Sequence, residues 1–174
     1  MRKKLYFAYG SNLNLVDWHQ WCKTHGFPLE LIRPKTRAIL PDYELSFSHY
    51  SQSRGGGALN VIESIGKGVE GVLFEVEGPE GWRALDQKEG APECYERKKV
   101  SLLDDFGGEI QAETYLLPEY RIRPFQKPTA KYVDTVASGL RNHRLNDRSL
   151  LAAASNNELP IITESFFEIG RAHV

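Results

Sequence analysis

Only two cysteines, Cys22 and Cys94, occur among the 174 residues, and they lie far apart. No disulfide framework of the kind that staples small secreted domains can be built from them, so the chain reads as one from a reducing compartment. Long apolar runs are missing as well. A membrane helix needs about 20 apolar residues, and a signal peptide needs an apolar core followed by a small-residue cleavage site. After Met1-Arg2-Lys3-Lys4 the apolar stretch is already over at Tyr9-Gly10. The expectation is a cytoplasmic protein that does not enter a membrane. Nor is there an excess of positive charge: the formal net charge is -1, which argues against a nucleic-acid partner, because phosphates call for a basic face. Repeats, low-complexity tracts and linkers are absent too, so a single domain over residues 1–174 is expected. A chain of this length buries roughly two-thirds of its unfolded surface, enough for a core without a disulfide or structural metal.

What is present alternates apolar runs with turn-formers. Leu5-Tyr6-Phe7-Ala8-Tyr9 is rich in aromatics and predicts a buried first strand. It stops at Gly10-Ser11-Asn12, after which residues 13–25 carry Leu15, Trp18, Trp21 and Cys22 at helical spacing, up to Gly26. Residues 37–48 alternate as a strand with a break at Pro41-Asp42. Gly55-Gly56-Gly57 marks a turn before a short strand at 58–62. A further strand at 69–77 places Val72, Phe74 and Val76 on one face and Gly71, Leu73 and Glu75 on the other. Residues 80–89 predict a helix, with Pro79 at its first turn and Gly90 just past its end. Strands at 95–103 and 109–117, a loop at 121–128, and helices at 129–143 and 147–154 complete the pattern. The stretch from Pro160 carries no clear signal. Strands in the middle with helices inserted predict an α+β fold: a mixed, strongly curved or barrel-like β-sheet with helices packed around it.

Two constellations carry chemistry. In the first, Tyr9-Gly10-Ser11-Asn12-Leu13, a strand turns sharply into a helix, so unpaired backbone N–H groups converge where an anion can bind. The plain alternative is an ordinary turn with Ser or Asn as N-cap. The second is Leu85-Asp86-Gln87-Lys88-Glu89-Gly90, with Tyr95 and Arg97 after it. An acidic residue in the last turn of a helix meets the negative end of the helix dipole, and Lys, Arg or His is preferred there. Glu89 breaks that rule. Partial burial would add to the effect and raise its pKa, as suits a group that takes and gives a proton near neutrality. The alternative is an exposed Glu on a frayed turn.

Taken together, the two segments resemble the γ-glutamylcyclotransferase family, whose loop reads Tyr-Gly-Ser-Asn and whose carboxylate lies in a Leu-Asp-x-x-Glu-Gly segment before a Tyr. The resemblance extends to Gly56-Gly57-Ala58-Leu59-Asn60, to Val69-Glu70-Gly71-Val72-Leu73-Phe74 and to residues 139–145. It departs at Cys94, just before Tyr95, where the loop is shorter than in some members. What it implies is an enzyme that closes a γ-glutamyl group into 5-oxoproline and expels an amine. Glu89 would be the proton shuttle. Tyr9, Gly10, Ser11, Asn12, Leu13, Tyr95, Tyr115 and Tyr132 would hold the small γ-glutamyl substrate, and neither cofactor nor metal is expected. A non-catalytic ligand-binding relative and an enzyme specialised for a γ-glutamyl amine or carrier-bound conjugate are the alternatives. The leaving amine and the oligomeric state, a homodimer included, stay open.

Other candidates are weaker. His19, Cys22 and His25 share a helix at three-residue spacing, but only two can share a face well and no acidic partner is near in sequence. Gly55-Gly56-Gly57 lacks the Lys-Ser/Thr of a phosphate loop. Cys94 has no His close in sequence. Arg121, Arg123 and Lys127 read as a solvated loop, or as a pocket border that steers an anionic substrate.

Overall fold

The computed structural model describes residues 4–156; Met1-Arg2-Lys3 and the stretch from Pro160 lie outside them. Five strands close into a barrel in the order β1-β3-β2-β4-β5. The first, β1 (Lys4–Ala8), runs antiparallel to β3 (Gly56–Val76) and parallel to β5 (Glu109–Leu116). A long hairpin, β2 (Ile32–Ser51) with β3, forms the largest part of the wall, and β4 (Glu96–Leu103) pairs with β5 and meets β2 through Ile39 and Leu103. Four α-helices complete the described chain: α1 (Leu15–His25), α2 (Gly78–Glu89), α3 (Ala130–Asn142) and α4 (Arg148–Ala154). No helix among the described residues is long and apolar enough to cross a membrane. The expected mixed barrel with surrounding helices is the fold observed.

Three expectations need correction. The break at Pro41-Asp42 is a bulge inside β2, with Asp42 at φ 62° and its carboxylate accepting the Gly66 N–H at 2.8 Å. The two strands expected at 58–62 and 69–77 are one. Residues 63–68 between them hide the continuity: Glu63 and Gly68 still pair with Tyr43 and Pro41, while residues 64–67 stand opposite Asp42 at the bulge. The expected alternation at 69–77 also fails, because Gly71, Val72, Leu73 and Phe74 are all buried. A closed sheet with elements packed outside it buries both faces of a strand, which then reads as a continuous apolar run.

Helix α3 sets the position of the loop after β1. Thr129 caps it, accepting the Tyr132 N–H, and Tyr132, Val136, Ala137 and Leu140 form its buried stripe. Its Gly139 lies flat against that loop: a Cβ there would sit 2.7 Å from the Leu13 carbonyl carbon and 2.8 Å from the Asn14 nitrogen. Two hydrogen bonds fix the contact, Asn14 Nδ2 to the Thr135 carbonyl at 3.0 Å and His143 Nε2 to the Leu13 carbonyl at 3.1 Å. Gly139→Ala should therefore push α3 and the loop apart. Overpacking of this kind costs about 1–3 kcal/mol, and a thermal melt should show a midpoint lower by roughly 2–12 °C.

Candidate functional site

Beyond β1 the chain makes one turn of 3-10 helix, Ser11–Leu13, before Asn14 returns to an extended conformation and caps α1 by accepting the Asp17 N–H at 3.1 Å. Helix α1 thus starts two residues later than its periodicity predicts, and its dipole is not aimed from Gly10-Ser11-Asn12. The amides of these three residues still precede the first bonded positions, since Leu13 N–H donates to the Gly10 carbonyl and Asn14 N–H to the Ser11 carbonyl. On the opposite wall, α2 ends at Glu89. Gly90, at φ 67°, closes the helix in the left-handed conformation that glycine adopts without strain.

Between these two ends lies a cleft of ≈ 650 Å³. Tyr9, Gly10, Ser11, Asn12, Glu89, Tyr95, Tyr115 and Tyr132 all line it. Leu13 does not: it is buried at 1% exposure beneath α3. Asn12 joins the walls, its Nδ2 donating to Glu89 Oε1 at 3.0 Å across 77 sequence positions and to the Tyr6 hydroxyl at 3.0 Å.

A buried ionic chain that the sequence did not disclose runs from here. Lys88, with a side chain 7% exposed, donates to Asn12 Oδ1, to Ser11 Oγ at 3.3 Å and to Asp17 Oδ2 at 3.2 Å. Asp17 in turn receives a two-pronged contact from Arg54, at 2.9 and 2.8 Å, and the Arg54 guanidinium lies 5.5 Å from the Tyr132 ring centre. Lys88 sat inside the quoted helix-end motif, Asp17 in the first turn of α1 and Arg54 beside the glycine triplet. Each reads as an ordinary surface charge in isolation, and only their convergence marks them.

Desolvation governs the acid–base chemistry. Burial pushes the Glu89 pKa above its ordinary value, although the Lys88 and Arg54 charges and the Asn12 hydrogen bond pull the other way. Burial likewise lowers the Lys88 pKa against the attraction of Asp17 and Glu89. For Asp17, burial is outweighed by Arg54 and Lys88, and its carboxyl is held below the usual range. Three of the tyrosine hydroxyls donate within the protein. Tyr9 donates to the Tyr115 carbonyl, Tyr115 to Asp86 and Tyr95 to the Leu59 carbonyl at 2.7 Å. Tyr132 accepts the Leu59 N–H at 3.1 Å, and burial pushes its pKa up to about 12.

Cys94 is not isolated from histidine in space: His49 Nε2 lies 3.5 Å from its Sγ. Burial nonetheless raises the thiol pKa and lowers that of His49, which Arg123 and Arg121 depress further. A protonated thiol beside a neutral imidazole is not an activated nucleophile. The Arg123 N–H donates to the Ser48 carbonyl at 2.8 Å, beside His49, but neither Arg121 nor Arg123 lines the cleft. Among the described residues, no three His, Cys, Asp or Glu side chains gather closely enough to hold a metal; His25 stacks on Trp21 at 4.2 Å, and Cys22 is buried.

The raised Glu89 pKa has a consequence for stability. A carboxyl that is harder to ionise in the folded state stabilises the fold below its unfolded pKa, about 4.3, and loses that contribution as pH rises through the folded value. Glu89→Gln, neutral at every pH, should melt at or above the wild-type temperature at pH 7–8. The advantage should vanish near pH 4 when melts are compared across the range.

A sequence model of the family described as gamma-glutamyl cyclotransferase, AIG2-like matches residues 6–139. No curated protein matches the chain. Among solved structures, the uncharacterized protein loc79017 from Homo sapiens is similar at a TM-score of 0.74 and 23% identity, with 98% of this chain and 99% of that one covered. A structure named gamma-glutamyl cyclotransferase gives a TM-score of 0.73 at 23% identity, with the same coverage. YkqA from Bacillus subtilis gives 0.68 at 19% identity, with 99% of this chain but only 55% of that one covered. At these identities the structures show a shared fold. The family match spans most of the barrel and both walls of the cleft, and the chain belongs to the gamma-glutamyl cyclotransferase, AIG2-like family.

Proposed function

We propose that the protein is a γ-glutamyl cyclotransferase: it converts a γ-glutamyl compound into 5-oxoproline and a free amine, with Glu89 as proton shuttle. The observation that carries this reading is the hydrogen bond from Asn12 Nδ2 to Glu89 Oε1, which puts the desolvated carboxylate and the loop amides on one cleft.

The chemistry follows from that placement. Nucleophile and electrophile belong to one substrate molecule, so the main task is to hold the α-amine against the γ-carbonyl. Such intramolecular positioning can supply about 7–11 kcal/mol. As the new C–N bond forms, the attacking nitrogen sheds a proton to the Glu89 carboxylate. As the old C–N bond breaks, the resulting carboxylic acid returns a proton to the departing nitrogen. Glu89 ends as it began, and no protein nucleophile, metal or cofactor is required by the steps as written. A pKa raised by burial suits a group that must be both base and acid in one cycle. The amides of Gly10, Ser11 and Asn12 would receive the substrate α-carboxylate or the oxyanion that develops on the γ-carbonyl oxygen. Tyr95 and Tyr115 would act as rigid walls, their hydroxyl protons being engaged within the protein, while Tyr132, which accepts the Leu59 N–H, keeps its proton to offer the substrate. The reading is of a single-domain cytoplasmic enzyme acting on a small molecule.

Incubation with a panel of γ-glutamyl amines and peptides, followed by mass spectrometry, should detect 5-oxoproline. Glu89→Gln should keep the fold and lower the rate by about 10²–10⁴-fold, the usual contribution of a positioned acid–base group. A folded wild-type protein that releases no 5-oxoproline from any member of the panel, or a Gln variant that turns over normally, would refute the proposal.

A further inference from the structure

A carboxamide has two ends of nearly equal shape, and its hydrogen-bond partners decide which way round it lies. At Asn12 two neighbours share the decision: an ionised Glu89 only accepts and so calls for Nδ2, and once Glu89 is protonated Lys88 alone fixes the amide. Lys88 carries three N–H donors and no acceptor, so it can be approached only by Oδ1, and Nδ2 is thereby left facing Glu89 and Tyr6. The other two Lys88 donors go to Ser11 Oγ and Asp17 Oδ2. With three acceptors for three donors, none is left for a ligand. Asp17 is held in place by the Arg54 fork.

We infer that Lys88 is a positioning residue: its ammonium, seated on Asp17, locks the Asn12 carboxamide so that Nδ2 is aimed at Glu89. A relay of contacts, Arg54 to Asp17 to Lys88 to Asn12, thus connects the β2–β3 hairpin to the carboxylate through α1 and the loop after β1. Without the cation the amide is free to turn over once Glu89 is protonated, because the acid O–H can then donate to Oδ1. An ionised Glu89, an acceptor only, would draw Nδ2 back, so the amide would turn with each change of protonation. The catalytic consequence rests on the reading of Glu89 as proton shuttle, whereas the orientation itself does not.

The charged neighbours of Glu89 are Lys88, Arg54 and Asp17. Tyr6, Tyr9, Tyr95, Tyr115, Tyr132 and Cys94 keep their protons near neutrality, because burial raises each of their pKa values. Removing the Lys88 charge therefore acts on Glu89 in one direction. The lost cation favours the protonated acid, and so does the Oδ1 that a turned amide offers to its O–H.

The test is an NMR titration of the Glu89 carboxyl carbon and the Asn12 side-chain NH2 in wild type, Lys88→Met and Lys88→Gln, with Lys99→Met on exposed β4 as a charge-loss control. In wild type the Asn12 resonances should follow the Glu89 titration. In Lys88→Met the Glu89 midpoint should rise by roughly one pH unit or more, and the Asn12 response should grow, because the unlocked amide turns over as Glu89 gains its proton. Lys88→Gln, neutral yet still a donor to Oδ1, should raise the midpoint while keeping the wild-type response. Lys99→Met should change neither. An Asn12 response in Lys88→Met no larger than in wild type, or a midpoint that moves no more than in Lys99→Met, overturns the inference. So does a wild-type Asn12 side chain indifferent to Glu89, a result that needs no variant to fold. If no 5-oxoproline is ever formed, the proposed activity fails while these titrations still decide the role of Lys88.

Discussion

Partial withdrawal of the Glu89 carboxyl from water is the constraint around which the cleft is built. Taking a carboxylate out of water costs several kcal/mol unless neighbours compensate. Here the compensation is deliberately incomplete. One amide donor from Asn12 and the charges of Lys88 and Arg54 oppose the desolvation, yet the pKa stays above the ordinary value. Full pairing with a cation would hold the group ionised, and complete isolation would hold it protonated. Neither would suit the proton shuttle proposed for Glu89. Lys88 is next to Glu89 in the chain, but its ammonium is spent on Ser11, Asn12 and Asp17, and it acts on the carboxylate through space and through Asn12.

The barrel supplies the rigidity this balance demands. Because β1 pairs with β3 on one side and β5 on the other, the loop leaving it emerges from the interior of a closed sheet, not from an edge. Helix α3 then clamps the loop from outside through the flat surface at Gly139. The Tyr95 hydroxyl holds the Leu59 carbonyl and the Tyr132 hydroxyl holds its N–H, so the start of β3 is fixed to the same wall. A second close approach explains the glycine triplet. The Gly57 N–H donates to the Lys127 carbonyl at 2.9 Å, and a Cβ at Gly57 would overlap the Gln126 carbonyl oxygen. What reads as a turn is also the track on which the 121–128 segment lies.

How much of this was legible depended on whether the signal was local. The end of α2 was, because Gly90 stops the helix where sequence reasoning puts it and leaves Glu89 at the dipole's negative end. The stripe of α3 and the aromatic first strand were legible for the same reason. The start of α1 was not. Ser11, Asn12 and Asn14 are all good capping residues, and the contacts of Asn14 with Asp17 and Thr135 decide among them. The continuity of β3 was hidden because residues 63–68 hold two glycines and two charges in six positions, although the ladder to β2 resumes on either side of the bulge. The ionic relay was hidden more deeply still: Asp17, Arg54 and Lys88 belong to three different elements, and nothing local says that they meet.

The distribution of hydroxyl protons limits how a ligand can be recognised. Tyr9, Tyr95 and Tyr115 each donate within the protein, and Tyr6 and Tyr132 each already accept an N–H. Those three are therefore closed to a ligand as donors, while Tyr6 and Tyr132 each keep a proton to offer. In the proposed reaction, charge on the substrate would be met by these two hydroxyls, by the loop amides ahead of Leu13, which belong to backbone that α3 holds still, and by the N–H groups of Arg54 not used on Asp17. Donors fixed in this way need no reorganisation as negative charge develops. Tyr9, Tyr95 and Tyr115 would have had to give up protein partners first. On that reading, orientation falls mainly to the backbone, exclusion of water to the rings, and proton transfer to Glu89, whose pKa burial raises.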